Sequence, residues 1–171
     1  NVRNALAASA AAVALQVPAP GIERGLSRFA GIKGRLQRKA ARRGATVIDD
    51  TYNANPESMP PAIDVLAGCP APTILVLGDM GELGARSAEF HRDIGAYARS
   101  RNISSLYALG DATRETVAAF GAAGAHASSL DELLHMLRAA ATQQATLLVK
   151  GSRFMQMERV VAGLTGETGV H

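Results

Sequence analysis

The sequence is poor in cysteine and in aromatic residues, and each shortage argues against a class of protein. Cys69 is the only cysteine, so no disulfide can form within the chain, which is typical of a reducing compartment. Three tyrosines, four phenylalanines and no tryptophan leave little for a surface that stacks nucleic-acid bases. The four histidines are scattered, and no Cys/His cluster has the spacing of zinc ligands.

A long hydrophobic run is also missing. The alanine-rich segment 5–17 is too short to span a membrane and is followed by Pro18 and Pro20. The chain starts with Asn1 inside an apolar-periodic helix rather than with Met. We therefore expect that the N-terminal part of a longer protein is missing.

The remaining composition is sufficient for a packed core. With 171 residues, 47% hydrophobic and 19% charged, the chain suits one large domain, or one domain plus a piece of another. Six basic residues lie within segment 33–43: Lys33, Arg35, Arg38, Lys39, Arg42 and Arg43. A charged edge strand explains them better than a nucleic-acid patch, since the net charge is only +3.

Short apolar runs alternate with helical patterns along most of the chain. The runs lie at 46–49, 73–77, 105–109 and 146–149, with a weaker strand near 125–127. Leu130, Leu133, Leu134 and Leu137 follow the i, i+3, i+4, i+7 spacing of a helix. We predict an α/β, Rossmann-like fold: a mostly parallel sheet with helices on both faces and one antiparallel edge strand from a hairpin over 35–50.

The loops that follow parallel strands meet along one edge of the sheet, where ligands bind in open α/β folds. Here these loops are 50–55, 78–84, 110–113 and 150–153. The first is rich in carboxylate and amide groups. It ends in Asn55 and Pro56, which suit the N-cap and first position of a helix. Similarly, Asp111 is a plausible N-cap, and Ser129 with Glu132 predicts a capping box.

Two of these loops are candidates for charged ligands. Lys150, Ser152 and Arg153 place cations and a hydroxyl at a predicted helix start, which suits a phosphate or a carboxylate, although a solvated cap has the same pattern. Loop 78–84 is glycine-rich, but neither the dinucleotide G-x-G-x-x-G pattern nor a P-loop is present anywhere in the chain. Its acidic Asp79 and Glu82 would repel a pyrophosphate, and a flexible acidic turn is the alternative.

Three further residues have positions that suggest a role. Asn1 and Asn4 lie three residues apart, so both amides could face one planar ligand. Arg35 follows a glycine turn and is placed for a phosphate. We predict that His91 lies at the surface or the edge of the core, and no Ser-His-Asp set can be argued from spacing.

Five segments together resemble one family. They are Asn-Val-Arg-Asn-Ala-Leu-Ala-Ala (1–8), Lys-Gly-Arg (33–35), Asp-Asp-Thr-Tyr-Asn-Ala-Asn-Pro-Glu-Ser-Met (49–59), Leu-Gly-Asp-Met-Gly-Glu-Leu-Gly (77–84) and Val-Lys-Gly-Ser-Arg (149–153). In this order they resemble the C-terminal part of the Mur ligases, specifically of the branch that adds D-alanyl-D-alanine. The resemblance implies that 1–32 is the tail of a central ATP-binding domain plus a hinge, and 33–171 a C-terminal Rossmann-like domain.

The resemblance also implies an activity, with its cofactors and partners. Members of this branch join D-alanyl-D-alanine to UDP-N-acetylmuramoyl-tripeptide in the bacterial cytoplasm during peptidoglycan precursor synthesis. ATP phosphorylates the tripeptide carboxylate, and the dipeptide amine attacks the acyl phosphate. The P-loop, the Mg²⁺ ligands and a carbamylated lysine belong to the missing central domain. We therefore expect no catalytic residue and no metal ligand in this segment, and no ligation by the segment alone.

Roles follow for the residues that match the family's motifs. For ATP, the expected contacts are made by Asn1 and Asn4 to adenine, Arg35 to the phosphates or ribose, and Asp50 to the ribose. For the substrates, Tyr52, Asn53 and Asn55 are expected near the γ-phosphate and the dipeptide. The dipeptide carboxylate is expected to bind to Lys150, Ser152 and Arg153. Its ammonium is expected to bind to Asp79 and Glu82.

Two alternatives remain open. The first is a related ligase, one that adds amino acids to folate (folylpolyglutamate-synthetase-like) or to a storage polypeptide (cyanophycin-synthetase-like). It would share the Asn-x-x-Asn helix and the Gly-Arg hinge, but not the Tyr-Asn-Ala-Asn-Pro loop. The second is a non-catalytic Rossmann-like module that binds a nucleotide or a small acid, which the absence of a phosphate loop favours. A structural or nucleic-acid-binding protein ranks last.

Overall fold

Strands and helices alternate along the chain in the computed structural model, which describes residues 2–29 and 31–167. The chain separates into two units between Gly31 and Ile32. The first contains helices α1 (Val2–Ala14) and α2 (Ala19–Ser27). Pro18 precedes α2 and a second proline lies in its first turn, where a missing N–H costs nothing. Among the described residues, no helix is long and apolar enough to cross a membrane.

The second unit is built on one sheet of six strands. The strands are β1 (Gln37–Ala40), β2 (Thr46–Asp50), β3 (Thr73–Gly78), β4 (Ser105–Leu109), β5 (Gly124–Ala127) and β6 (Thr146–Lys150). Their order across the sheet is β1-β2-β6-β3-β4-β5, and β1 is the one antiparallel strand among them. The predicted mostly parallel sheet with an antiparallel edge strand is confirmed.

Helices cover both faces of the sheet, as predicted. They are α3 (Met59–Ala67), α4 (Ser87–Ser100), α5 (Thr113–Phe120), α6 (Leu130–Ala140) and α7 (Glu158–Thr165). Buried side chains of α3, α4 and α5 form one core cluster, and those of α6 and α7 form another. The central strands β3 and β6 are buried along their whole length, as expected for strands covered on both faces.

The connections give the sheet a switch point at β6. Strands β2 and β3 both lead into helices of one face, whereas β6, which lies between them, leads into α7 on the other. In folds of this kind ligands bind beside such a switch point, at the carboxyl ends of the strands. The register places Asp50, the last residue of β2, directly beside Lys150, the last residue of β6.

Three predicted helix starts can be compared with the structure. Ser129 caps α6 by accepting the Glu132 N–H at 3.2 Å, but the Glu132 carboxylate bonds to Ser128 rather than closing the box on Ser129. The prediction that Asn55 caps a helix is wrong. Its Oδ1 accepts the Ser58 N–H at 2.8 Å in a turn, and α3 begins at Met59. Two prolines follow Met59, and the first helical turn tolerates their missing donors.

The third predicted cap, Asp111, is also wrong. The residue before α5 is Ala112, and its side chain makes no capping bond. Instead Asp79, which follows β3, accepts the Thr113 N–H through Oδ1 at 2.9 Å. The cap is thus supplied from a neighbouring strand, where no local pattern in the sequence reveals it.

Candidate functional site

A buried ion pair lies at the switch point between β2 and β6. Lys150 Nζ is 2.6 Å from Asp50 Oδ2, with side chains 5% and 13% exposed. The same ammonium donates to the Asn53 carbonyl at 2.8 Å, and the Leu36 N–H donates to Asp50 Oδ1 at 3.2 Å. The pair fixes the Asp50 carboxylate at the carboxyl end of β2, with 13% of its side chain exposed.

Ser152 lies two residues beyond Lys150 and joins three loops. Its Oγ donates to the Ala54 carbonyl at 3.0 Å and accepts the Gly81 N–H at 2.7 Å. Its own N–H donates to the Asp79 carbonyl at 3.0 Å. The residue is 5% exposed, so these bonds are shielded from water. The hydroxyl has donated its one hydrogen within the fold.

A tight turn at 32–35 places a cation beside the same loop. The Arg35 N–H donates to the Ile32 carbonyl at 3.0 Å, and Gly34 between them has φ +72°. The Gly34 carbonyl accepts the Tyr52 N–H at 3.0 Å, and the Arg35 guanidinium lies 4.2 Å from the centre of the Tyr52 ring. Tyr52 is 51% exposed, so this stack presents its charge to solvent.

The second carboxylate of the Asp49-Asp50 pair has a structural role. Asp49 is 1% exposed and bonds the Thr51 hydroxyl through Oδ1 at 2.7 Å. Its Oδ2 is 3.4 Å from Lys39 Nζ, which also pairs with Glu167 at 2.6 Å. Burial lowers the pKa of Lys39, but the two carboxylates outweigh it and the net pKa lies above the ordinary value. Asp49 is therefore tied into the fold, and Asp50 is the carboxylate available at the edge.

A cleft of about 360 Å³ opens beyond the ends of β3, β4 and β5. Its charged and polar lining is formed by Asp79, Asp111, Arg114, His126 and Ser128. Met155, from the segment after β6, closes one side. The cleft thus combines carboxylates with a guanidinium, which suits a small molecule that carries both charges.

Two groups order the backbone around this cleft. His126 Nε2 lies 2.8 Å from the Gly110 carbonyl, and the Thr113 hydroxyl donates to the same carbonyl at 2.6 Å. The Asp79 carboxylate lies so close to Gly110 that a Cβ there would approach it within 2.4 Å. Gly110 also has φ +115°, so this position requires glycine.

Arg114 and His126 are not among the site residues predicted from the sequence. Arg114 is in the first turn of α5, with its Nε 3.8 Å from Asp111 Oδ1 and its side chain 62% exposed. Its position directly after the predicted loop 110–113 was the one available signal. His126 belongs to the short β5, and nothing in its spacing marks it.

The other predicted site residues are dispersed over the edge. Asn53, Asn55, Glu82 and Arg153 are exposed. Arg153 pairs with Glu158 at 3.0 Å, and Glu82 has φ +62°. Asn4 is exposed on α1 in the first unit, and Asn1 lies outside the described residues. The second unit therefore brings together Asp50, Asn53 and Lys150, with Ser152 beside them.

His91 is not at the surface, and that prediction is wrong. It is 1% exposed, and its Nε2 accepts the Met80 N–H at 3.0 Å. Its Nδ1 lies 2.8 Å from the Ser87 carbonyl, which assigns the hydrogen to Nδ1. His91 thus fixes the loop after β3 from behind. In the part of the chain that the structure describes, no cluster of His, Cys, Asp and Glu could hold a metal ion.

Comparison with known proteins gives a consistent set of relatives. The family model for the Mur ligase, glutamate ligase domain, matches residues 34–153. The UDP-N-acetylmuramoyl-tripeptide–D-alanyl-D-alanine ligase of Buchnera aphidicola is 39% identical over 170 residues, which cover 98% of this chain and 37% of that protein. For the ligase of the same name in Escherichia coli, the identity is 36% over 166 residues, covering 96% and 36%.

Solved structures agree. A D-alanyl-D-alanyl ligase from Acinetobacter baumannii superposes with a TM-score of 0.85 and 34% identity, covering 98% of this chain and 36% of that one. The MurF ligase of Thermotoga maritima in complex with ADP gives a TM-score of 0.74 and 26% identity, covering 83% and 33%. This chain thus spans little more than a third of the length of these relatives.

Proposed function

Because this chain belongs to the Mur ligase family, we propose that it is the C-terminal part of an ATP-dependent ligase that joins D-alanyl-D-alanine to UDP-N-acetylmuramoyl-tripeptide. The observation that carries the proposal is the cleft at the carboxyl edge of the sheet, which carries both signs of charge. Relatives of that name, matched over nearly the whole of this chain, support it. The proposal places the reaction in the bacterial cytoplasm.

The nucleotide contacts form the first part of the proposal. Asp50 accepts hydrogen bonds from the ribose hydroxyls, since its carboxylate is fixed by Lys150 and remains 13% exposed. Arg35 contacts the phosphates, and its stack on Tyr52 keeps the guanidinium from folding away. Asn1 and Asn4 face the adenine. ATP and Mg²⁺ are held mainly by the central domain, with the metal ligands outside this segment.

The dipeptide occupies the cleft beyond β3, β4 and β5. Arg114 binds its terminal carboxylate, since a guanidinium can donate two parallel hydrogen bonds to one carboxylate. Asp79 and Asp111 attract its ammonium, and Glu82 is a further candidate from the same loop. The volume of about 360 Å³ lies in the range of small-molecule sites.

The residues of loop 51–55 and of 150–153 complete the substrate side of the proposal. Tyr52, Asn53 and Asn55 lie near the γ-phosphate and the dipeptide, with exposed side chains. The prediction that Lys150, Ser152 and Arg153 bind the dipeptide carboxylate is kept for Arg153 alone, as a second candidate beside Arg114, because Lys150 and Ser152 donate to loop carbonyls. Of these three, Arg153 is the one with an exposed charge, 67% in the structure.

Residues 1–32, which include the first unit, are assigned to the end of the central domain and the hinge. The helices of the first unit bury little of their apolar surface. Leu6, Val13 and Leu15 are 64%, 64% and 78% exposed, and Phe29 is 63% exposed. Exposed apolar side chains of this kind, on α1 and just after each of the two helices, are typical of a segment whose packing partner is another part of the protein.

Steady-state kinetics of the full-length ligase test the two halves of the site separately. Arg114→Ala should raise the KM for D-alanyl-D-alanine by about tenfold or more, the effect of losing charged hydrogen bonds, and leave the KM for ATP unchanged. Asp50→Ala should do the reverse, weakening ATP use by about 1–3 kcal/mol. Arg92→Ala, which removes an exposed arginine paired with Glu115, is the matched control.

The outcome distinguishes the ligase from its alternatives. A protein that turns over glutamate or another single amino acid, and not the dipeptide, would be a related ligase. A protein that binds nucleotide without any turnover would be a binding module. If Arg114→Ala left the dipeptide KM unchanged, the cleft would be removed from the proposal.

A further inference from the structure

The side chains of Lys150 and Ser152 hold two consecutive carbonyls of loop 51–55. Lys150 Nζ donates to the Asn53 carbonyl at 2.8 Å, and Ser152 Oγ donates to the Ala54 carbonyl at 3.0 Å. Both donors are buried, at 4% and 5% exposure. A loop that carries exposed polar side chains is thus fixed through its backbone by a strand about 100 residues later in the chain.

Ser152 extends this attachment to a third loop. Its Oγ accepts the Gly81 N–H at 2.7 Å, and its N–H donates to the Asp79 carbonyl at 3.0 Å. One hydroxyl therefore sets the spacing between loop 51–55 and the loop after β3. Asp79, at the start of that second loop, also lines the cleft.

Gly151 makes the arrangement possible. A Cβ at this position would lie 2.6 Å from Met157 Cγ and 3.1 Å from Gly78 Cα, so any other residue would have to displace the Met157 side chain and move the end of β3 slightly away. The three consecutive residues therefore act together: two donors that point into the loops, and one glycine that lets the strands meet.

We propose that Lys150, Gly151 and Ser152 form a positioning device that aims the side chains of loop 51–55 at the substrate, rather than a binding site for the substrate itself. The proposal rests on the function proposed above and deepens it. Lys150 and Ser152 are then positioning residues, and Asn53 and Asn55 make the contacts. The effect of Ser152 on the substrate passes through the loop.

A double-mutant cycle in the full-length ligase tests this route. Ser152→Ala should raise the KM for D-alanyl-D-alanine by about tenfold, the loss expected for one buried hydrogen bond that orders a contact, with a smaller change in kcat. In an Asn53→Ala, Asn55→Ala background, the same substitution should lose most of its effect, because loop 51–55 then presents nothing to aim and only the bond to Gly81 is left to break. Independent, multiplying effects would overturn the proposal.

Ser104→Ala is the matched control. The Ser104 hydroxyl also accepts a backbone N–H, that of Thr73 at 3.0 Å, but at the opposite edge of the sheet. It should lower stability by less than Ser152→Ala, because Ser104 is exposed, and leave both KM values unchanged. If it raised the dipeptide KM as much as Ser152→Ala does, the effect would be one of general stability, and the proposal would fail.

Amide hydrogen exchange of the 171-residue chain provides a readout that does not depend on activity. Ser152→Ala should accelerate exchange at Gly81 and at the amides of 51–55, relative to the wild type and to Ser104→Ala. Unchanged exchange in 51–55 would overturn the positioning role even if the ligase reaction is correct. Accelerated exchange in a protein that does not use the dipeptide would instead point to failure of the proposed function.

Discussion

Removing the charge of Lys150 should destabilise the fold by a large and specific amount. In Lys150→Met the apolar stem is retained, whereas Asp50 loses the ammonium that lies 2.6 Å from its Oδ2. Breaking one partner of a buried ion pair costs about 3–5 kcal/mol, because the remaining charge is left uncompensated.

The structure places the expected loss at the lower end of that range. The Asp50 side chain remains 13% exposed and keeps the Leu36 N–H at 3.2 Å, so water and one donor still solvate it. The Asn53 carbonyl also loses its donor, which adds about 1 kcal/mol or less because that loop lies near the surface. We expect the free energy of unfolding to fall by about 3 kcal/mol.

Urea denaturation of the chain, followed by circular dichroism, measures this loss. Asp50→Asn combined with Lys150→Met removes both charges and should recover at least half of the stability. A loss below about 1 kcal/mol, the value of an exposed pair, would refute the reasoning, since the pair would then not behave as buried. Equal losses for the single and the double variant would refute it as well.

Four other substitutions have defined expectations. Gly34→Ala should lower the free energy of unfolding by about 2 kcal/mol, because φ is +72° and the new Cβ would lie 3.0 Å from the Tyr52 backbone nitrogen. Gly84→Ala, where φ is +57° and no atom is near the new Cβ, should lower it by about 1 kcal/mol in the same urea titration. Ser129→Ala, which removes the cap of α6, should cost about 1 kcal/mol, measured by thermal unfolding. The pKa of Lys39 is raised above its ordinary value of 10.5, so the stability that this charge contributes is complete below that pH and is lost as the pH rises through the folded-state pKa. The free energy of unfolding, measured against pH, should show this alkaline loss in the wild type and not in Lys39→Met.

The strands and helices could be predicted because their signals are local. The apolar runs ending at Asp50 and Lys150 are followed by periodic helices, and alternation of this kind determines a parallel sheet with helices on both faces. Even the weak strand near 125–127 was legible and is confirmed as β5. The same alternation predicts the edge of the sheet at which a ligand is expected.

The local chemistry of helix starts was harder to predict. Asn55 has the right residue type for a cap, but the two prolines after Met59 shift the helix start downstream. The cap of α5 comes from Asp79, 34 residues before the amide it accepts. Spacing along the chain cannot reveal a donor–acceptor pair that forms only when two strands lie side by side.

The same limit applies to the site. Lys150, Ser152 and Arg153 have the pattern of an anion site, yet two of the three donate within the fold to residues about 100 positions earlier. Conversely, Arg114 is a candidate for ligand binding because it lines the cleft beyond the ends of β3, β4 and β5. Residue type indicated that this edge carries function, and the tertiary contacts decide which side chains remain available to a ligand.

The proposed function requires a site for D-alanyl-D-alanine in this domain, at the carboxyl edge of its sheet. Amide-resolved NMR titration of the chain with the dipeptide tests it most directly, with L-alanyl-L-alanine and the Arg114→Ala variant as controls. We expect shifts at residues 51–55, at 110–114 and at Ser128, and these shifts should be absent with the L,L dipeptide and in the variant. Equal shifts with both dipeptides, or shifts confined to other parts of the chain, would contradict it.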